Sequence, residues 1–357
     1  MSPSPLETVP SHGLQSARKC LNLQVLRGIA ALMVVGFHAL FYYFGASAAM
    51  PEWSYYGAAG VDLFFVISGY VMVYVSQNRF GSVASQLRFL YERATRIYPP
   101  YWVATLPVIL ACLLLGPSVN HTLTLRTLVT SLFLIPTSDE FPLLRVGWTL
   151  FHEMYFYFVF SFLLLGSRGT LYKKLLVWAL LILGAALYLP APWRGIPLLK
   201  IVFSPFTLEF IAGCLLGLVA WPQHFKTGPW LAAAGFILLL GGTCLVPDPS
   251  SVTGGWRPLF LGLPAVLIVG SALTMERNAQ VLRWNWLQRL GDASFQIYLW
   301  HNTVISAFMR YSLKLPLPHE VRCVLAVVCG VTLGYLAHLY IEKPLLRWSR
   351  GWCQKRP

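Results

Sequence analysis

Two ionisable residues sit where a lipid-facing helix would carry none. Arg27 and His38 stand eleven positions apart within LNLQVLRGIAALMVVGFHALFYYF, residues 21–44. At about 3.6 residues per turn that spacing brings both side chains to within about 20° of one face, about 16 Å apart along the axis. A permanent cation and a titratable imidazole therefore share one stripe. Charge at membrane depth is costly, and such groups face a bundle interior or an aqueous cavity. Glu153, in GWTLFHEMYFYFVF, lies roughly 9 Å inside the outer end of a later apolar segment at about 1.5 Å per residue. His38 falls in the outer half of its own helix by the same count. A carboxylate at that depth can orient the imidazole and raise its basicity, as a general base requires. The expected catalytic pair is thus His38 with Glu153.

A second constellation is basic. In RFLYERATRIYPPYW, Arg88, Arg93 and Arg96 surround a single acid, Glu92. Arg93 and Arg96 are three apart and share a face on any helical end. Guanidinium groups grip phosphate in a bidentate fork, so the group suits a nucleotide-phosphate pocket. Flanking charge beside a membrane helix, or contact with anionic lipid, is the plainer alternative. Other polar residues lie inside apolar runs. Asp62 and Glu209 read equally well as structural acids and as site residues. Tyr298, His301 and Asn302 cluster in GDASFQIYLWHNTV, where Asp292 reads as a helix cap. His152 is expected at the interface, His338 in packing, and Glu342-Lys343-Pro344 at the cytoplasmic end of the bundle.

The elements that must position these groups follow from composition. Of 357 residues, 57% are hydrophobic and only 11% are charged, against about 25% in a soluble domain. The chain reads as an all-α polytopic membrane helix bundle. Its net charge of +14 then belongs to loops beside membrane helices and not to a nucleic-acid footprint. The seven cysteines form no CxxC or CxxH pair, which argues against a metal site or disulfide framework. Residues 1–20 read as a disordered tail, and the first apolar run is too long for a signal-peptide core.

About ten transmembrane helices are expected: 22–44, 57–77, 97–115, 147–166, 172–189, 199–221, 229–246, 257–274, 291–312 and 320–342. With both termini cytoplasmic, 18 Lys and Arg fall inside and 8 outside, Arg27 being within the first helix. That asymmetry obeys the positive-inside rule. Leu125–Ile135 is too short to span and reads as re-entrant or interfacial. The longest connections are Gln77–Ile97 inside and Gly116–Val146 outside.

Taken together, Arg27-x10-His38, the run GVDLFFVISGY, Arg93-x-x-Arg96, Trp148-Thr149-Leu150-x-x-Glu153, GDASFQIYLWH and Glu342-Lys343-Pro344 resemble the membrane acyltransferase-3 family. Their order and spacing carry the resemblance, and the compact length is similar to the exopolysaccharide O-acetyltransferases. The resemblance implies an acyltransferase transmembrane domain over 21–345, followed by a basic cytoplasmic tail over 346–357. It implies transfer of an acyl group, acetyl by analogy, from cytoplasmic acyl-CoA to a saccharide hydroxyl at a bacterial inner membrane. Membrane lipid, the saccharide acceptor and acyl-CoA are then the partners. Arg27, Arg88, Arg93 and Arg96 are expected to bind the donor, and Asp62, Tyr298, His301 and Asn302 the acceptor. Arg27, Tyr298 and Asn302 are all candidates for the oxyanion donor. A transporter or flippase is the rival class, since intramembrane charge is equally expected there.

Overall fold

In the computed structural model, described for residues 20–44, 51–115, 123–137, 141–190, 193, 195–219, 227–245, 257–314 and 316–354, the chain folds as a helical bundle. No strand forms among the described residues. The expected tail over 1–20 falls, apart from Cys20, outside them. The helices are α1 (Leu21–Phe44), α2 (Ala59–Val75), α3 (Val83–Leu115), α4 (Leu125–Leu132), α5 (Trp148–Leu163) and α6 (Leu171–Tyr188). They continue as α7 (Pro197–Val202), α8 (Phe206–Leu218), α9 (Gly228–Leu245), α10 (Leu263–Arg277), α11 (Asn285–Tyr311), α12 (His319–Ala337) and α13 (Lys343–Gln354).

Seven stretches among the described residues are long and apolar enough to cross a bilayer. The segments expected as the other three spans form the helices α5, α9 and α11, which are not among those seven. With 16 residues, α5 falls short of the roughly 20 that a straight crossing takes, and α11 interrupts its apolar run with Gln296, His301 and Asn302.

Several local expectations are corrected. The basic stretch before Ile97 is not a loop: α3 begins at Val83 and runs unbroken through Pro99, Pro100 and Pro107. Proline removes a donor from the ladder, but its fixed φ is helical. Burial of Ile97, Pro100, Tyr101 and Ala104 anchors the helix on either side of the pair. Asp292 is no cap, because α11 starts seven residues earlier at Asn285. Glu342 does not mark an exposed end. It is buried within a π-turn over His338–Glu342 and accepts from His338 Nδ1 at 2.6 Å, and α13 follows directly from Lys343.

Small residues decide which helices touch. At Gly28 an added Cβ would lie 2.4 Å from Leu287 O, and at Gly291 one would lie 1.9 Å from Gln24 O. This reciprocal pair lets α1 and α11 meet backbone to backbone, the contact that small residues permit between membrane helices. Gly69 and Gly213 do the same for α2 and α8, each Cβ position 2.0 Å from a carbonyl of the opposite helix. The start of α1 is pinned by Glu276 at the end of α10, whose carboxylate accepts from Leu21 N at 2.6 Å and Asn22 N at 2.7 Å. Those are orphan donors of a helix N-terminus. The short α4 is held against α3 through its last carbonyls: Tyr101 Oη donates to Ser131 O and Trp102 Nε1 to Leu132 O, both at 2.9 Å.

Candidate functional site: two chambers sharing a tyrosine wall

The polar residues of the bundle line two cavities. The first takes Arg27 from α1, Ser68 from α2, Arg93 and Arg96 from α3, Glu153 and Tyr157 from α5, and Ser294 from α11. The second takes His38 and Tyr42 from α1, Arg145 just before α5 and Trp148 at its start, Arg257 before α10, and Asn302 from α11. Val61 and Tyr298 line both. Tyr298 is fixed there by its hydroxyl, which meets Thr149 Oγ1 at 2.9 Å and donates to Val146 O at 3.1 Å.

The helical stripe that sequence spacing drew on α1 is therefore divided. Its Arg27 end faces the first chamber and its His38 end the second. Arg27 Nη2 donates to Ser294 Oγ at 2.9 Å across the close α1–α11 contact. Arg93 is nearly buried, and its Nε has no hydrogen-bond partner among the described residues. Three guanidinium side chains, Arg27, Arg93 and Arg96, lining one cavity suit an anionic ligand. Arg88 does not join them. It pairs with Glu92 at 3.1 Å, as does Arg79 at 2.5 Å, and neither arginine lines the chamber.

The expected pairing of His38 with Glu153 is not what forms. Glu153 faces the Arg27 chamber, where its Oε1 accepts from Tyr157 Oη and, at 3.5 Å, from Ser68 Oγ. His38 is oriented by another imidazole. His301 Nδ1 meets Ile297 O at 3.0 Å, so it carries the proton and leaves Nε2 as acceptor. That Nε2 lies 3.2 Å from His38 Nδ1, which also meets Val34 O at 3.0 Å. Two acceptors around His38 Nδ1 place the proton on that atom and the lone pair on Nε2. An unprotonated Nε2, on a ring held by a second group, is the form that general-base work requires. Depth alone could not tell Glu153 from His301, because both lie on helices whose rotation about α1 is set by packing.

Asp62 lies outside both cavities. Fully buried, it accepts from Arg257 Nη2 at 2.9 Å and Nε at 3.4 Å. The same Nη2 donates to Ala58 O at 3.0 Å. Glu209 lies against Gly262 with its carboxyl group beside that of Asp62. Arg257 and Arg145 were not singled out from sequence, where both counted only as outer flanking charges. Two acids inside apolar runs were the available signal, since buried charge demands a partner. Ser68 and Ser294 carried no such signal. His152 is buried against Phe65, Phe206 and Trp148.

The family model for the acyltransferase domain matches residues 21–340. The chain belongs to this family. It is 36% identical over 306 residues to the exopolysaccharide production protein ExoZ of Rhizobium meliloti, covering 83% of this chain and 91% of that one. It is 27% identical to the acyltransferase MdmB of Streptomyces mycarofaciens, covering 91% of each chain. The peptidoglycan O-acetyltransferase OatA of Listeria monocytogenes is 26% identical, and there the match covers 91% of this chain but 55% of the relative. No solved structure matches. The chain is thus a multi-pass acyltransferase.

Proposed function

We propose that this acyltransferase moves an acetyl group from cytoplasmic acyl-CoA to a hydroxyl of an exported or lipid-linked saccharide at a bacterial inner membrane. The observation that carries the reading is the pair of chambers with one shared wall, guanidinium groups in one and an imidazole in the other. The charge pattern of the loops supports a cytoplasmic side for the Arg27 chamber. There Arg27, Arg93 and Arg96 take the phosphates of the donor, and the unpartnered Nε of Arg93 supports an anion at that spot. The thioester reaches past Tyr298 and Val61 toward His38.

His38 Nε2 removes the proton of the acceptor hydroxyl. The oxygen attacks the thioester carbonyl, the tetrahedral intermediate collapses, the carbon–sulfur bond breaks, and the thiolate leaves with the proton returned by His38. His301 holds the ring through Nδ1. The oxyanion falls near the Tyr298 hydroxyl and the Asn302 amide, while Arg27, grouped with the other guanidinium side chains, belongs to the donor chamber. Glu153 opposes those guanidinium groups and limits their mutual repulsion.

Purified protein in nanodiscs, given acetyl-CoA and an oligosaccharide, should release free thiol only when acceptor is present. His38→Ala should abolish release while the protein still binds donor. A carrier without acyl chemistry would release none, and donors other than acyl-CoA would show as acceptor acylation without thiol.

A further inference from the structure

The chamber that holds His38 is cationic. Arg145 and Arg257 line it, and no carboxylate does among the described residues. The charge of Arg257 is met from behind by Asp62, which is buried and lies outside the cavity. Arg145 is different. It is exposed, its guanidinium stands 5.1 Å from the centroid of the Phe141 ring, and no acid pairs with it among the described residues. Trp148 and Tyr42, which also line this cavity, offer flat amphipathic walls for a sugar ring. An anionic glycan would meet the charge of Arg145 in a charge-assisted bond, about twice as strong as the neutral one that a sugar hydroxyl offers.

We propose that the acceptor is an anionic saccharide whose carboxylate or phosphoester is held by Arg145 while its hydroxyl lies at His38 Nε2. This rests on the acyl-transfer reading above and names the class of acceptor. Guanidinium forks fit both planar carboxylates and phosphates, so the acid can sit on the sugar itself or on the diphosphate that links a sugar to its lipid carrier. The charge also fixes which end of the acceptor enters first and hence which hydroxyl meets the imidazole.

The test uses the full-length protein in nanodiscs with acetyl-CoA and three acceptors: a neutral oligosaccharide, the same oligosaccharide bearing one uronate, and the neutral sugar on a polyprenyl diphosphate. At least one anionic acceptor should show a KM about ten- to a hundredfold lower than the neutral one, the range of one charge-assisted hydrogen bond. Which of the two does so identifies the source of the charge. Arg145→Gln should bring the KM values together, and Arg145→Lys should restore part of the gap. Equal KM values for neutral and anionic acceptors, or a preference that survives Arg145→Gln, would overturn the inference and leave the transfer reading standing. Absence of thiol release with all three acceptors would overturn both.

Discussion

Gly291→Ala offers a direct test of whether close helix contact sets up the chemistry. The added Cβ would stand 1.9 Å from Gln24 O, and contacts of real Cβ atoms begin near 3.0 Å. The obstacle is backbone, so α1 and α11 must part by the difference, about 1.1 Å. Two links cross that contact: Arg27 to Ser294 at 2.9 Å, one turn from Gly291, and His38 to His301 at 3.2 Å, about three turns away. An opening of that size takes the first beyond hydrogen-bond reach and the second with it, since reach ends near about 3.2 Å for a good N–H donor. A misplacement of about 1 Å at a reacting group can cost about a hundredfold in rate. Overpacking of this kind also destabilises by about 1–3 kcal/mol. The assay is acceptor-dependent thiol release, with thermal unfolding and monodispersity measured on the same sample. Gly36→Ala is the control: it makes the same chemical change on α1, where nothing lies within 4 Å of the added Cβ. The expected result is a folded Gly291→Ala protein slowed about a hundredfold beside an unaffected Gly36→Ala protein. A folded Gly291→Ala variant at full rate, or equal losses in both, would refute the reasoning.

Other perturbations separate the roles. Removing the base with His38→Ala should lower acyl transfer by about a hundred- to ten-thousandfold, the span of general-base contributions, and turnover near the wild-type rate would exclude His38 from the chemistry. Arg93→Gln and Arg96→Gln should each weaken donor binding by about tenfold or more, read by titration of acyl-CoA, while Arg88→Gln should have little effect because Arg88 pairs with Glu92 outside the chamber. Equal effects of all three would put the phosphates elsewhere. Asp62→Asn takes the carboxylate from a fully buried ion pair and should destabilise the protein by about 3–5 kcal/mol. The double replacement Asp62→Leu with Arg257→Leu should recover most of that loss in thermal unfolding, and a double variant no more stable than Asp62→Asn would show that the pair is not independent of its surroundings.

Length, apolar content and the period of the hydrophobic runs fixed the helices of this chain, because a bilayer demands about 20 apolar residues per crossing and satisfies backbone hydrogen bonds only within the helix. Spacing along one helix also placed Arg27 and His38 on a common stripe, and a three-residue step grouped Arg93 with Arg96. Each of these is a local relation, set by covalent geometry. Partnership between helices is not local. Whether His38 met Glu153 or His301 depended on how α5 and α11 turn about α1, and that rotation is decided by Gly28 and Gly291 letting two backbones touch. Arg257 and Asp62 found each other across 195 positions of chain for the same reason. The division of one stripe into an Arg27 side and a His38 side was likewise invisible until Tyr298 was seen standing between them, held by a threonine from another helix.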